Sequence, residues 1–246
     1  MPGERSQPGP LALGGGDELH AGNEPQDEVL VRAAQKGPAY ILATAAARHD
    51  PRAAVRNAQA WFGRLGLRVE ELPALRRTEA NSAAGAERAR AGRFFYLLGG
   101  DPGRVPTTLA GTSVWQAITS AWSDGAALGG SSAGAMALGE WTLLRARRPG
   151  DRNRRYAPGL GLVPRCAVIP HLDTFGHAWV RGAFDAAPHD HVVLVGIDER
   201  SAAVWTQGRW EASGPGGVTV FLDRDQRRYE SGEVIEGIPA PSPAGV

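Results

Sequence analysis

The sequence predicts an α/β fold in which a doubly wound, mostly parallel sheet is flanked by helices. Its short apolar stretches are continuous rather than alternating, as in strands that are buried on both faces. They alternate with segments of helical periodicity at the intervals of βαβ units. Gly-rich or polar clusters directly follow several stretches, at the strand ends where ligands bind in such folds. The apolar stretches cover residues 11–13, 40–44, 67–72, 94–98, 126–129, 166–169, 191–197, 202–206 and 218–222.

Helical periodicity predicts the elements between these strands. The helix after residue 50 has the best-marked ends, because Asp50 can cap it, Pro51 suits the first helical position and Gly66 suits its end. The other helices are predicted over residues 27–35, 113–122, 135–138 and 177–187.

The length of 246 residues suits one well-buried domain. We predict that this domain covers residues 10–236. Residues 1–9 and 237–246 are dense in Pro and Gly and poor in large apolar side chains, so we predict that they are flexible tails.

The composition argues against several classes of partner. Lys and Arg total 27 against 26 Asp and Glu, which gives no electrostatic case for nucleic acid or an anionic membrane surface. No segment approaches the roughly 18 apolar residues of a membrane helix, and the polar N-terminus lacks the order of a secretory signal. A single cysteine, Cys166, excludes an internal disulfide. We therefore expect a cytoplasmic protein.

The segment with the clearest chemical meaning is Gly129–Ala135, which joins an apolar strand to an apolar helical stretch. Ser132 has Gly130 two residues before it and Gly134 two residues after it, the small-x-Ser-x-small spacing of a nucleophile elbow. Ser131 has Gly129 and Ala133 at the corresponding positions. Ser132 is favoured because glycine on both sides tolerates the tight turn best. The segment has no Lys at the spacing of a phosphate-binding P-loop.

A serine nucleophile needs a base, and His171 is the favoured candidate among six histidines. It directly follows the strand at residues 166–170, so we expect it at the ligand-binding edge of the sheet. The others lie in early loops or on and after a predicted surface helix: His20, His49, His177, His189 and His191.

An oxyanion hole needs backbone N–H groups near the reacting carbonyl. Ala133 follows the nucleophile, and Gly100 follows the strand at residues 94–98, so both can supply one.

The sequence does not identify which acid orients the histidine. Glu140 near the end of the helical stretch, Asp151 in a basic segment and Asp173 just past His171 are all candidates. Of the pair Asp198 and Glu199, we expect a structural or supporting role for one member.

Together these residues resemble peptidase family S51. The resemblance spans roughly residues 10–222 and rests on the order and spacing of four features: Gly99-Gly100-Asp101, Gly130–Ala135, Pro170-His171, and Gly196–Glu199 followed by Ala202. It implies a fold similar to class I glutamine amidotransferases and hydrolysis through an acyl-enzyme on Ser132, with His171 as the base. Members of the family cleave after aspartyl groups, and no metal or organic cofactor is expected.

The sequence also departs from the family pattern. Pro102 follows Asp101 where cyanophycin-degrading members have Gln, and the stretch after His171 keeps only Arg181 of their several arginines. This argues against cyanophycin as the substrate. We expect Asp101, Ser131 and Arg181 to contact the substrate.

The favoured interpretation is a serine-type exopeptidase or dipeptidase for small, Asp-containing peptides, acting as a monomer or homodimer without nucleic acid or membrane partners. One alternative is a binding or regulatory protein that keeps the fold without turnover. Another is an esterase of the α/β-hydrolase fold, although its histidine normally follows the last strand, whereas at least three predicted strands follow His171.

Overall fold

A computed structural model, which describes residues 7–34, 37–145, 154–189, 191–222 and 225–243, confirms the α/β class. The strands are β1 (Leu11–Gly14), β2 (Ala39–Leu42), β3 (Glu70–Glu71), β4 (Phe94–Leu97), β5 (Ala127–Ser131), β6 (Gly139–Arg145), β7 (Arg154–Pro158), β8 (Val163–Ile169), β9 (Val193–Ile197), β10 (Ala202–Thr206), β11 (Arg209–Ser213), β12 (Gly217–Leu222), β13 (Asp225–Glu230) and β14 (Val234–Ile235). The helices are α1 (Glu24–Ala33), α2 (Pro51–Arg64), α3 (Arg77–Ala80), α4 (Ala83–Ala91), α5 (Arg104–Leu109), α6 (Ser113–Ser123), α7 (Ala133–Leu138) and α8 (His177–Asp185).

These strands form two sheets rather than one. The first has the order β14-β11-β10-β1-β5-β4-β2-β3, parallel from β1 to β3 and antiparallel beyond β1. The second has the order β13-β12-β9-β8-β6-β7, with β6, β8 and β9 parallel at its centre. Parallel strands therefore form one half of the first sheet and the centre of the second, and antiparallel strands complete each sheet.

Local sequence explains where the ends of elements fall. Asp50 caps α2 by accepting the N–H of Ala53, as predicted. Gln207 and Gly208 both have positive φ and form the two-residue turn between β10 and β11, a turn whose twist suits an antiparallel hairpin. The helix after Ser132 ends at Leu138, so Glu140 lies in β6 rather than at a helix end.

Residues 238–242 lie against the folded core, within the segment 237–246 for which we predicted a flexible tail. The N–H of Ser242 donates to the carbonyl of Leu162 at 2.9 Å, and the indole N–H of Trp210 donates to the carbonyl of Pro239 at 2.9 Å. Ile238 is buried. At the other end, the N–H of Gly9 bonds the carbonyl of Trp122 at 2.8 Å.

Helix α7 lies between the two sheets. All six of its residues are buried, and it packs against β1, β4 and β5 of the first sheet and β6 and β8 of the second. The residue that precedes this helix is therefore held from both sides. In the described part of the chain, no helix has the length and apolar character needed to cross a membrane.

Asp27 of α1 is a buried carboxyl group under the first sheet. Its Oδ2 accepts the indole N–H of Trp61 at 2.8 Å. Burial raises the pKa of Asp27 to about 7, the hydrogen bond from Trp61 opposes this, and the charges of Glu18 and Glu24 add to the rise. Below about pH 7 the folded protein thus favours the neutral acid.

Replacing Asp27 with Asn should remove a pH dependence of stability. Because the pKa of Asp27 is raised on folding, its contribution is greatest below the unfolded value of 3.8 and is lost as the pH rises toward about 7. The free energy of unfolding of the wild type relative to Asp27→Asn should therefore fall across that window, by up to ~1.4 kcal/mol per pH unit. Urea unfolding at several pH values measures it.

The matched control is Glu28→Gln, because Glu28 is exposed on the same helix and pairs with Arg32. A difference between wild type and Asp27→Asn that stays constant from pH 4 to 8 would contradict the prediction.

Candidate active site

Ser132 lies on a strained turn between β5 and α7. Its φ of 49° and ψ of −115° are unfavourable for a residue with a side chain. Glycines make the turn possible, because a Cβ on Gly130 would lie 2.7 Å from the backbone of Gly134, and one on Gly134 would overlap the carbonyl of Leu97. The N–H of Ser132 donates to the carbonyl of Gly14 at 3.0 Å. This is the elbow that the sequence predicts.

His171 is held beside Ser132 by the turn that follows β8. Its φ of 53° is left-handed, and its N–H donates to the carbonyl of Gly15 at 2.7 Å. The imidazole Nε2 lies 3.1 Å from the Ser132 hydroxyl. Gly16 leaves room for the ring, since a Cβ there would overlap it. The predicted nucleophile and base are thus within hydrogen-bond distance of each other.

The carboxylate beside the histidine is that of Glu199, which follows β9. Its Oε1 lies 2.7 Å from Nδ1 of His171. The N–H of Glu199 donates to Oδ1 of Asp173 at 3.0 Å, and the hydroxyl of Thr174 lies 3.4 Å from the same Oε1. Asp173 therefore supports Glu199 instead of contacting the imidazole nitrogens itself.

Asp198 anchors the strand end that carries Glu199. It is buried, and its Oδ2 accepts the N–H of Gly217 at 3.0 Å and the guanidinium of Arg228 at 2.7 Å. Hydrogen bonds to Asp198 and then to Glu230 hold the pKa of Arg228 above its usual range. The two residues therefore have different roles. Asp198 forms hydrogen bonds with β12 and β13 of the second sheet, and Glu199 forms one with His171.

Glu140, the first candidate for the orienting acid, lies elsewhere. Its Oε2 accepts the N–H of Arg165 at 2.7 Å, at a point where the pairing of β6 with β8 shifts register. Arg165 has a φ of 56°, so the carboxylate stabilises an irregular strand. Asp151 lies outside the described residues.

The two candidates for the oxyanion hole, the N–H groups of Gly100 and Ala133, belong to residues at the edge of the same cavity as Ser132. Ala133 is the first residue of α7, so its N–H has no partner within the helix. Gly100 has a φ of 142° and packs so tightly that a Cβ would overlap the backbone of Ala45. Both residues line one cavity with Ser132 and His171.

Glu18 connects the loop at Gly99 and Gly100, called the glycine loop below, to the elbow at Ser131 and Ser132 through hydrogen bonds. Its Oε1 accepts the N–H of Gly99 at 2.8 Å, and its Oε2 accepts the hydroxyl of Ser131 at 3.2 Å. Ser131 is buried, so its expected contact with substrate is replaced by this internal bond. Glu18 was not singled out from the sequence, because it lies in a loop with no recognisable pattern.

The cavity in front of Ser132 has a volume of about 850 Å³ and a cationic lining. Asp101 lines it as expected, with Oδ1 accepting the N–H of Gly103 at 3.0 Å and Oδ2 lying 3.7 Å from Arg48. Arg181 is exposed beside a different cavity, with His177 and Phe184, so the structure does not bring it to Ser132. The arginines that do line the site are Arg48, Arg104, Arg145 and Arg155.

Comparison with known proteins gives the family. The model of peptidase family S51 matches residues 11–211. The chain belongs to peptidase family S51. It is 29% identical over 225 residues to the cyanophycinases of Synechococcus elongatus and of Thermosynechococcus vestitus, covering 87% of this chain and 68% of each relative. The crystal structure of a peptidase from an acI-B1 Actinobacterium superposes with a TM-score of 0.82 at 26% identity, over 94% of this chain and 98% of the other.

In this S51 peptidase, the sequence did not identify Glu199 as the partner of the histidine, because a structural or supporting role was expected for one unspecified member of the pair Asp198 and Glu199. The signal that could have found it is topological. β8 and β9 are parallel neighbours, with Ile169 opposite Gly196, and each is followed by a polar residue at the same edge. His171 and Glu199 therefore meet. Within the described residues, no group of three or more His, Cys, Asp or Glu side chains is arranged to hold a metal ion.

Proposed function

We propose that this S51 peptidase is a serine-type enzyme that hydrolyses small, Asp-containing peptides through an acyl-enzyme on Ser132. The observation that carries the proposal is the hydrogen-bonded series from the Ser132 hydroxyl through His171 to Glu199, with separations of 3.1 and 2.7 Å. A nucleophile bonded to a base that is oriented by a third group is the arrangement that acyl transfer needs.

Acylation begins when Nε2 of His171 takes the proton of the Ser132 hydroxyl as its oxygen attacks the peptide carbonyl. The carbonyl oxygen becomes negatively charged, and the N–H groups of Gly100 and Ala133 donate to it. His171 then gives its proton to the leaving nitrogen, and the carbon–nitrogen bond breaks. The acyl group stays on Ser132 while the amine departs.

Deacylation repeats these steps with water as the nucleophile. His171 takes a proton from the water, the hydroxide adds to the ester carbonyl, and the proton returns to the oxygen of Ser132 as the ester bond breaks. Glu199 accepts a hydrogen bond from the Nδ1–H group of His171 throughout, which leaves Nε2 free to accept a proton and stabilises the imidazolium formed in each half. Asp173 and Thr174 hold Glu199 for this role.

The charge of the cavity supports an acidic substrate. Four arginines line it, against one carboxylate, that of Asp101, among its described lining residues. Arginine is suited to carboxylates because its planar group can make two parallel hydrogen bonds. A peptide with an aspartyl side chain and a terminal carboxylate would place negative charges in a positive field. Three members of this set are exposed, Arg48, Arg145 and Arg155. Arg48 already lies 3.7 Å from Asp101, and we assign Arg155 to substrate binding in place of Arg181.

The alternative of a binding protein without turnover has less support. Such a protein would be favoured by a pocket in which no base reaches the serine, whereas Nε2 lies 3.1 Å from the Ser132 hydroxyl. The strained backbone of Ser132 also points to chemistry, because strain of this kind is retained where the surroundings impose it and clusters at active sites.

The test is hydrolysis of a panel of α-aspartyl, β-aspartyl and neutral dipeptides. The acidic members should be cleaved with a kcat/KM about ten- to hundredfold higher than neutral ones, the range that a charged hydrogen bond provides. Arg155→Gln should reduce the ratio of kcat/KM for acidic over neutral dipeptides. The matched control Arg181→Gln should leave this ratio unchanged. Equal turnover of acidic and neutral peptides would contradict the substrate class, and no turnover of any peptide would contradict the enzyme.

A further inference from the structure

Two aromatic side chains stand beside the catalytic histidine. The ring of Phe175 stacks on the imidazole of His171, with centroids 4.9 Å apart and planes inclined by 24°. The ring of Trp179 follows at 5.4 Å from Phe175. Both line the cavity that contains Ser132, so the row extends from the base along one wall of the site.

The backbone fixes Phe175 in this place. Residues Leu172–Gly176 form a wide helical turn in which the carbonyl of His171 accepts the N–H groups of Thr174, Phe175 and Gly176, at 3.2, 3.1 and 2.7 Å. The turn brings the side chain of Phe175 back over the residue that begins it. The aromatic row is thus a consequence of the same turn that orients the base.

Phe175 is unusually exposed for a large apolar side chain. It is 47% exposed, and the other exposed large apolar side chains of the described chain, Leu222 and Val234, do not line this cavity. Covering such a surface with an apolar group is favourable in proportion to the area removed from water. An exposed apolar surface inside a substrate cavity therefore indicates a place for an apolar part of the ligand.

The chemistry says which part of the substrate lies there. Nε2 of His171 must reach the leaving nitrogen to protonate it, so the released residue lies beside the imidazole. The oxyanion donors Gly100 and Ala133 lie instead around the carbonyl. We infer that Phe175 and Trp179 form a subsite for the side chain of the released residue, and that this side chain is apolar or aromatic. This inference rests on the proposed function.

The charges around the row exclude a basic side chain. The guanidinium of Arg154 lies 3.6 Å from the centroid of the Trp179 ring, and Arg155 lines the cavity next to it. Burial, followed by the charge of Arg145, lowers the pKa of Arg154. A released arginine or lysine would add a cation to this group, whereas a leucine or phenylalanine would not. Arg155, which lines the cavity, also suits the terminal carboxylate of the released residue.

The experiment compares aspartyl dipeptides that differ only in the released residue: phenylalanine, leucine, alanine and arginine. The wild type should prefer phenylalanine and leucine to alanine and arginine in kcat/KM. Phe175→Ala should reduce the phenylalanine-to-alanine ratio by about three- to tenfold, the size of an aromatic contact. Val234→Ala, which truncates an equally exposed apolar side chain away from the site, should leave the ratio unchanged.

The ratio separates this role from simple support of the histidine. If Phe175 only orients His171, Phe175→Ala lowers kcat/KM equally for all four dipeptides, and the inference is overturned. A wild-type preference for arginine or alanine, with turnover still dependent on Ser132, overturns the inference and leaves the proposed function intact. Absence of Ser132-dependent turnover overturns both. Trp179→Leu, checked for folding by circular dichroism, tests the second ring of the subsite. It should also lower the phenylalanine-to-alanine ratio of kcat/KM.

Discussion

Ser132→Ala should reduce peptide hydrolysis by about 10⁶-fold, the loss that follows removal of the nucleophile in a known serine peptidase. Without the hydroxyl, His171 has no oxygen to activate and no acyl-enzyme can form. Because Ala133 and the rest of α7 are buried and unchanged, the variant should fold as the wild type does. Initial rates on the best aspartyl dipeptide measure the effect, and a phosphonylating reagent should label the wild type at Ser132 alone.

Ser131→Ala is the matched control, since both serines occupy the elbow. Its hydroxyl donates to Glu18, so its loss should alter the support of the glycine loop and reduce the rate only modestly. Labelling should persist in this variant. If Ser131→Ala were the inactive variant and Ser132→Ala were active, the assignment of the nucleophile would be wrong.

The parts of the site that can be predicted from sequence are those set by local chain geometry. Gly130 and Gly134 around Ser132 mark a turn that few sequences tolerate, and His171 directly follows an apolar strand. The partner of the histidine depends instead on which strands are neighbours. Glu140 was one of three open candidates because it lies near the end of the helical stretch predicted at residues 135–138, but the chain enters β6 at Gly139. Proximity in sequence was the wrong guide to proximity in space.

The same distinction between local pattern and spatial neighbours applies to the strands of the fold. Buried strands such as β4 and β9 read as continuous apolar runs and were placed within a few residues. Two strands that were missed, β7 and β13, form the opposite edges of the second sheet, carry adjacent arginines and are exposed or half-buried apart from Tyr229. They are strands because they pair with β6 and β12, which a single-strand pattern does not encode. That pairing adds the two edges of the second sheet.

Glu199→Gln should lower kcat by about 10⁴-fold with little change in KM, the loss seen when the orienting acid of a serine peptidase becomes an amide. The amide keeps the shape of the side chain but can donate to Nδ1 of His171. The imidazole then carries its proton on Nε2, where it cannot accept the proton of Ser132. The effect on kcat rather than KM distinguishes this role from substrate binding.

Glu140→Gln is the control that decides between the two carboxylates. Its amide oxygen can still accept the N–H of Arg165, so the strand irregularity should remain and the rate should stay within about twofold, as for a change distant from the chemistry. Thermal unfolding of both variants checks that each is folded at the assay temperature. If Glu140→Gln were inactive and Glu199→Gln nearly as fast as the wild type, His171 would be oriented by a different acid in the working enzyme, and the hydrogen bond at 2.7 Å would have no catalytic role.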